Sequence, residues 1–166
     1  MIHQYILKQR LRFDNQYEEI ASKFCNLQGA KKYKTKEGAL LSNWYEGYLF
    51  TALLAISRDL PREEYVDEGE PKANKWSFSY LEQYKYVISR VLEMDGVLTE
   101  LGVNEYDDLI VTIENEENPT ERILSKLKII VDQLSNAGLK YLNEKYQEDP
   151  TIFDRYDGLK ELMLED

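Results

Sequence analysis

The sequence predicts an all-α fold, a single-domain bundle of six or seven helices built from residues 1–166. Only four prolines and eight glycines occur, and so few helix breakers favour long helices with few turns. Apolar side chains recur at steps of three and four residues, the period of a helix with one buried face. The chain is 43% hydrophobic and 31% charged, which is typical of a globular domain with a core.

The N-terminal region predicts one or two short helices followed by a basic loop. Residues 2–13 fit either a short helix or an extended N-terminal arm. Asp14 or Asn15 then caps a helix that is predicted to reach about Leu27, and Gly29 fits the position just beyond its end.

The most apolar helix is predicted over residues 39–58, and we expect it to lie at the centre of the bundle. Gly47 lies inside it, where glycine costs ~1 kcal/mol relative to alanine, so we expect another helix to pack closely there. The apolar stripe consists of Leu41, Trp44, Tyr45, Tyr48, Leu49, Ala52 and Ile56.

Residues 59–75 form the longest irregular stretch, and they contain two prolines, one glycine and six acidic residues. A connection of this length is either a mobile loop or a functional one. After it, Ser79 and Glu82 fit a capping box at the start of a helix that reaches about Met94. Asp95-Gly96 is a turn signal, and Gly102 is another.

The C-terminal half predicts three more helices. A short one follows from the spacing of Tyr106, Leu109 and residues 110–113, whose β-branched run leaves a strand open as an alternative. Asn118-Pro119 begins a helix that reaches about Tyr146, with a kink or break at residues 136–138. Asp149-Pro150 is predicted to begin the last helix.

Charge is distributed unevenly along the chain, whose formal net charge is −10. Residues 1–40 hold eight bases and four acids, whereas residues 91–121 hold ten carboxylates and no base. Overall acidity disfavours nucleic-acid binding by the whole surface, because phosphate contacts supply most of that affinity. The acidic stretch has three interpretations: a solvated face, a docking surface for a basic protein, or a mimic of the phosphate backbone.

Catalytic signatures are scarce. One histidine and one cysteine exclude a zinc site of the usual spacing, and Cys25 lies among apolar residues as a small buried hydrophobe. The sequence holds no nucleophile elbow, phosphate-binding loop or dinucleotide fingerprint. We therefore predict no enzyme, no cofactor and no metal site. The alternative is a metal-dependent hydrolase built on carboxylates, with candidates Asp107, Asp108, Glu114, Glu116 and Glu117.

Two surfaces are candidates for binding. Aromatic residues near the long loop and acidic residues beyond it predict contact with a protein partner, the candidate residues being Trp76, Tyr80, Tyr86, Asp107, Asp108 and Glu114. Tyr84 and Tyr86 must point to different sides of a helix, so these tyrosines cannot all be buried. A basic loop predicts an alternative contact with nucleic acid, through Lys31, Lys32, Tyr33, Lys34 and Lys36.

A cytoplasmic location without membrane contact is expected. A single cysteine cannot form an intramolecular disulfide, and residues 2–7 lack the pattern of a signal peptide. The longest strongly apolar stretch, residues 48–56, is far shorter than the ~20 residues that span a bilayer.

The sequence of residues 43–55 resembles a pattern found in a known group of proteins. These residues read Asn-Trp-Tyr-Glu-Gly-Tyr-Leu-Phe-Thr-Ala-Leu-Leu-Ala, an aromatic-rich helix that follows a short N-terminal helix. This pattern resembles small helical proteins encoded beside bacterial DNA-phosphorothioation and related phage-defence systems. The resemblance covers residues 13–100 and departs at Ala55, where a glycine is expected. It implies a bacterial accessory protein in a defence complex and carries over no catalytic residues. We therefore expect a non-enzymatic protein that acts by protein–protein contact.

Overall fold

Seven helices make up the fold of the residues that the structure, a computed structural model, describes: 2–25, 41, 43–109, 118–152 and 158–164. No strand occurs in these ranges, so the predicted all-α bundle is confirmed. The helices are α1 (Ile2–Lys8), α2 (Glu18–Phe24), α3 (Trp44–Ser57), α4 (Leu81–Leu92), α5 (Val97–Leu101), α6 (Asn118–Glu148) and α7 (Gly158–Leu164).

Helix α3 lies at the centre of the bundle, as predicted, and packs along α6. Asn43 caps its start, since the Asn43 side chain accepts a hydrogen bond from the Glu46 amide at 3.1 Å. The hydroxyl groups of Thr51 on α3 and Ser135 on α6 are 2.8 Å apart and fully buried. Two apolar stripes therefore meet around a small polar contact.

Glycine permits the close contact between these two helices. A Cβ atom added to Gly138 would lie 2.0 Å from the carbonyl oxygen of Thr51. Residues 136–138 are buried, and α6 continues through them without a break. Of the two predicted alternatives, a kink or a break, the break is therefore wrong, because these three positions pack inside the fold instead of forming a turn.

Two predictions about the N-terminal half need correction. Helix α2 ends at Phe24 instead of Leu27, because Cys25 is extended and Leu41 donates a backbone hydrogen bond to Phe24 at 3.0 Å. The close neighbour of Gly47 is the Cys25 sulfur rather than another helix, since a Cβ atom added to Gly47 would lie 2.3 Å from that sulfur. Residues 2–8 form a helix, so the helical alternative for the N-terminus holds, and Gly29 lies outside the described residues.

The predicted capping box before α4 is wrong. Ser77, not Ser79, supplies the side-chain oxygen, which accepts from the Ser79 amide at 3.3 Å and begins a 3₁₀ turn, Phe78–Tyr80. Glu82 instead accepts from Lys85 at 3.0 Å. The apolar stripe of α4 is buried as its spacing predicts, with Leu81, Tyr84, Ile88, Val91 and Leu92 all inside.

The predicted turns after α4 are present, but the predicted last helix begins later. Gly96 and Gly102 have φ values of 80° and 81°, a backbone region that favours glycine. Asp149 begins a turn, since its carboxylate accepts from the Thr151 amide at 3.0 Å, and α7 starts only at Gly158. In addition to the seven helices named above, residues 106–109 form a helical turn, as predicted, and residues 110–113 lie outside the described ranges.

The long connection, residues 59–75, contains no helix and runs across the bundle between two neighbouring segments of the chain. On one side it contacts residues 11–15, with isolated antiparallel bridges between Leu11 and Ala73 and between Asp14 and Glu68. On the other side it contacts α6, where the Glu63 amide donates to the Gln133 carbonyl at 3.2 Å. None of the helices in the described ranges is both long and apolar enough to cross a membrane.

Candidate functional site

The described carboxylates between residues 91 and 121 all lie on the surface. The apolar residues between them point inward, and Val97, Leu101 and Leu109 are at most 3% exposed. The charges therefore sit on the outer side of packed elements. We call these exposed carboxylates the acidic surface, and they are Glu93, Asp95, Glu100, Glu105, Asp107, Asp108 and Glu121. Glu114, Glu116 and Glu117 lie outside the described residues.

Tyr106 is an exposed aromatic residue inside this acidic surface. Its apolar spacing placed it on a buried stripe, yet its side chain is 48% exposed while Leu109 is buried. Glu105 and Asp107, its neighbours in sequence, are exposed as well. The sequence carried a signal for this arrangement, since acids flank the tyrosine on both sides.

Glu93 and Glu100 of the acidic surface form ion pairs with arginines. Glu93 pairs with Arg90, three residues earlier on α4, at 2.6 Å. Glu100 receives both guanidinium nitrogens of Arg62, at 2.7 and 3.1 Å, which is the bidentate geometry that arginine favours. Arg62 thus joins the long connection to the acidic surface.

Trp76 is not part of the surface, in contrast to the prediction. Its side chain is 3% exposed and lies against three tyrosine rings, with centroid distances of 4.6 Å to Tyr84, 5.0 Å to Tyr45 and 5.4 Å to Tyr48. Its amide donates to the carbonyl of Leu7 at 3.1 Å, which draws the end of the long connection into the bundle. Trp76 is therefore a core residue.

Tyr80 and Tyr86 differ in exposure. Tyr80 is half-buried and stacks on Tyr45 with centroids 5.1 Å apart, and its hydroxyl group is held by Asn43 and Glu46. Tyr86 is 56% exposed. It lies on the outer face of α4 together with Arg90 and Glu93, four and seven residues further on.

Phe78 is a surface aromatic residue that the sequence pattern did not single out. It is 77% exposed and precedes α4 in the 3₁₀ turn. The apolar periodicity could not have found it, because Phe78 stands three residues before Leu81, a spacing that predicts burial, and α4 begins only at Leu81.

A part-buried carboxyl group lies between α3 and α6. Asp132 accepts hydrogen bonds from the Tyr48 hydroxyl and the Lys128 ammonium, each at 2.5 Å. Burial raises the pKa of Asp132, and the charge and hydrogen bond of Lys128 oppose this rise. Burial also raises the pKa of Tyr48 well above its usual value, so Tyr48 stays protonated and donates. The Asp132 side chain is 21% exposed, so the pair lies at the edge of the contact between α3 and α6.

A small cleft of about 160 Å³ lies where the long connection meets α6. Leu60, Pro61 and Glu63 line one wall, and Ala137, Lys140, Tyr141 and Glu144 line the other. Lys140 and Glu63 form an ion pair across it at 3.2 Å. The cleft is smaller than the ~300 Å³ at which ligand pockets begin.

Catalytic chemistry finds little support among these groups. Cys25 is 2% exposed, and burial raises the pKa of its thiol well above the usual value, which disfavours the reactive thiolate. Within the described part of the chain, no group of three histidine, cysteine or acidic residues could hold a metal ion. The predicted nucleic-acid contacts Lys31, Lys32, Tyr33, Lys34 and Lys36 lie outside the described residues.

Comparison with known proteins adds no relative: no family model, no curated protein and no solved structure matches the chain.

Proposed function

We propose that the protein is a non-enzymatic interaction protein whose acidic surface binds a basic protein partner. The observation that carries this proposal is the placement of Tyr106, which is 48% exposed between the exposed acids Glu105 and Asp107. An exposed aromatic ring supplies contact area that a merely solubilising surface does not need. The surrounding carboxylates favour a partner of positive charge and speed its approach.

The outer face of α4 extends the same kind of surface. Tyr86 and Glu93 share that face, and Glu93 belongs to the acidic surface. Aromatic residues surrounded by charged ones are typical of the centre and rim of protein interfaces. Of the aromatic residues that the sequence predicted to contact a partner, Tyr86 therefore remains a proposed contact, and Trp76 does not.

The proposal is tested by removing the aromatic centre and two charges together. A tagged variant with Glu105→Gln, Tyr106→Ala and Asp107→Asn is compared with the wild type in capture from a lysate of the source organism. A protein that the wild type captures and the variant does not is then purified. Its affinity is measured by calorimetry at two salt concentrations. We expect a basic protein whose binding weakens at least tenfold in the variant, roughly the effect of one interface hot spot.

A matched control removes the same charge and one aromatic ring elsewhere. Glu19→Gln, Glu64→Gln and Phe78→Ala change three residues outside the acidic surface. This control should bind the partner like the wild type. Capture of the same proteins by all three chains contradicts the proposal.

A narrower form of the proposal follows from residues 43–55, whose pattern resembles accessory proteins of bacterial phage-defence systems. We place the protein in the bacterial cytoplasm on this basis, as an adaptor in a DNA-modification or defence complex. The residues that carry the pattern lie on α3, where Tyr48, Leu49, Ala52 and Ala55 are core residues. Packing alone accounts for them, so the test is external: genes for DNA modification beside this one support the narrower form, and their absence opposes it.

The basic loop gives a separate prediction that needs no structure to test. Lys31, Lys32, Lys34 and Lys36 are replaced by glutamine, and DNA and RNA binding is measured at two salt concentrations. Affinity that falls steeply with salt and with the replacements supports a nucleic-acid contact. Affinity that the replacements leave unchanged excludes it.

A further inference from the structure

The middle of the long connection is attached to α6 by polar contacts. The side-chain amide of Asn136 donates to the carbonyl groups of Glu63 and Glu64, at 3.3 and 3.0 Å. The ammonium group of Lys140, one turn further on, binds the Glu63 carboxylate. These contacts hold residues 63 and 64 against the helix with little help from apolar packing.

Its opposite side is attached to residues 12–15, again by polar contacts. The Val66 amide donates to the Asp14 carboxylate at 2.7 Å, and the Gly69 amide donates to the Phe13 carbonyl at 3.0 Å. Among residues 61–70 Gly69 is buried and Val66 is 78% exposed. Tyr65 is half-buried, and its hydroxyl group donates to the Arg12 carbonyl at 2.9 Å. One tyrosine ring is thus the main apolar contact of the segment, which gains less hydrophobic free energy from staying attached than the buried helices do.

The attached position of this segment also carries a free-energy cost from a buried polar group. Asn136 is fully buried, and its side-chain oxygen has no hydrogen-bond partner. Water would satisfy this oxygen if the segment moved away, and leaving a buried acceptor unsatisfied is unfavourable. Asp14 is fully buried as well, but its carboxylate also accepts from the Gln16 amide and the Gln16 side chain, each at 3.1 Å, so it keeps these partners when Val66 leaves.

The two ends of the connection are fixed more firmly than its middle. The Leu60 amide donates to the Ala55 carbonyl at 2.9 Å, directly after α3. Trp76 is buried among three tyrosine rings at the other end. The ends are therefore natural hinge points for the segment between them.

We propose that residues 61–70 are a strap that detaches as one unit from α6 and from residues 12–15 while α3, α4 and α6 stay folded. The open state exposes Asp14 and Asn136 to water. It also takes Arg62 away from Glu100, so the acidic surface loses its bidentate cation. Opening of the strap thus makes the acidic surface more negative without any bound ligand.

Hydrogen exchange of the backbone amides in the full-length protein tests this inference without any partner. The strap amides of Glu63, Val66 and Gly69, which donate hydrogen bonds to α6 or to residues 13 and 14, are compared with the amides of residues 131–139 in α6, at increasing urea below the unfolding transition. We expect the strap amides to be protected about 100-fold less than the helix amides, with protection that hardly changes with urea. Equal protection and equal urea dependence in both segments would overturn the proposal, because both would then open only by global unfolding.

Two arginine variants sharpen the test. Arg62→Gln removes the bidentate pair with Glu100, and we expect strap exchange about fivefold faster with α6 unchanged. Arg90→Gln removes a pair of similar exposure on α4, with Glu93, and should leave strap exchange unchanged. A uniform acceleration of all amides by Arg62→Gln would contradict a strap that opens on its own.

Discussion

Asp132 is a part-buried carboxyl group held between α3 and α6 by one hydroxyl group and one ammonium group. Burial favours its neutral form and raises its pKa, whereas Lys128 and Tyr48 favour the charged form. The raised pKa means that this carboxyl group stabilises the fold most when protonated. Stability from this group therefore falls as pH rises from the ordinary value of 3.8 through the raised folded value, and stays low above it.

Replacing this group removes the pH dependence. We expect Asp132→Asn to be within about 1 kcal/mol of the wild type at pH 7 or more stable, because the neutral amide avoids the desolvation of a charge. Relative to the wild type, the variant should gain free energy of unfolding between about pH 4 and pH 7. Urea unfolding at both pH values measures this difference.

Asp95→Asn is the matched control, since Asp95 is exposed. It should change the free energy of unfolding by less than about 0.5 kcal/mol at either pH. An Asp132→Asn variant that loses several kcal/mol at pH 7 would show that the charged pair with Lys128 stabilises the fold, contrary to the expectation.

For single residues, the sequence predicted the burial of apolar side chains better than the burial of polar ones. Tyr48 and Tyr84 recur at helical spacing and are buried as expected, whereas Trp76 lies in an irregular stretch that has no period to place it. Asp132 and Asn136 are polar residues on a buried side of α6, where periodicity counts them as solvent-facing. Their burial depends on partners far away in the sequence, Tyr48 and Glu64, which no local pattern contains.

Among the elements, α3 and α6 are the pair whose contact leaves least room. The Thr51 carbonyl oxygen occupies the space that a side chain at Gly138 would need. Helical periodicity predicted both helices, but it could not predict that residues 136–138 continue α6. Glycine and asparagine are frequent at helix ends, and only the closeness of α3 explains them in mid-helix.

Gly138→Ala should push these helices apart. Alanine raises helix propensity, but the added methyl group overlaps backbone atoms of Thr51, and we expect a net loss of about 1–3 kcal/mol in the free energy of unfolding. Urea unfolding measures the loss. Gln147→Ala, at an exposed site of the same helix, should be neutral or stabilising. A stabilised Gly138→Ala variant would contradict the observed packing.

The start of α3 gives a second prediction for an element. Asn43→Ala removes the cap to Glu46 and the contact with Tyr80, and we expect a loss of about 1–2 kcal/mol. Asn43→Asp keeps the capping oxygen and should recover at least half of this loss. Thermal and urea unfolding of both variants provide the measurement, and equal losses would show that the cap contributes nothing.

On the scale of the whole molecule, composition and charge were the most informative features of the sequence. The scarcity of proline and glycine predicted the helical class, which is confirmed. The ten carboxylates of residues 91–121 predicted a surface, and the described ones lie outside because Val97, Leu101 and Leu109 need the interior. The exposure of Tyr106 could not be decided from the sequence because two signals conflict: its spacing is that of a buried residue, whereas acids flank it on both sides.

The net charge of −10 predicts how salt acts on the molecule as a whole. Like charges repel one another in the folded state, and raising the salt from about 0.01 M to 0.1 M shortens the screening length from about 30 Å to 10 Å. We expect the free energy of unfolding in urea at pH 7 to rise by on the order of 1 kcal/mol. Salt should meanwhile speed strap exchange, because it screens the attraction between Arg62 and Glu100.

The free energy of unfolding reports the repulsion among the net negative charges of the whole molecule. Strap exchange reports the attraction between Arg62 and Glu100, so the two measurements distinguish these effects of salt. A variant with Asp95→Asn, Glu105→Gln and Asp107→Asn carries three fewer negative charges, so its stability should gain less from salt than that of the wild type. Its strap exchange should respond to salt like the wild type, because Arg62 and Glu100 are retained. A wild type that loses stability with salt would mean that its surface ion pairs outweigh the repulsion. In that case bases of the same chain would already stabilise the carboxylates of the acidic surface, and a basic partner would gain little free energy by pairing with them.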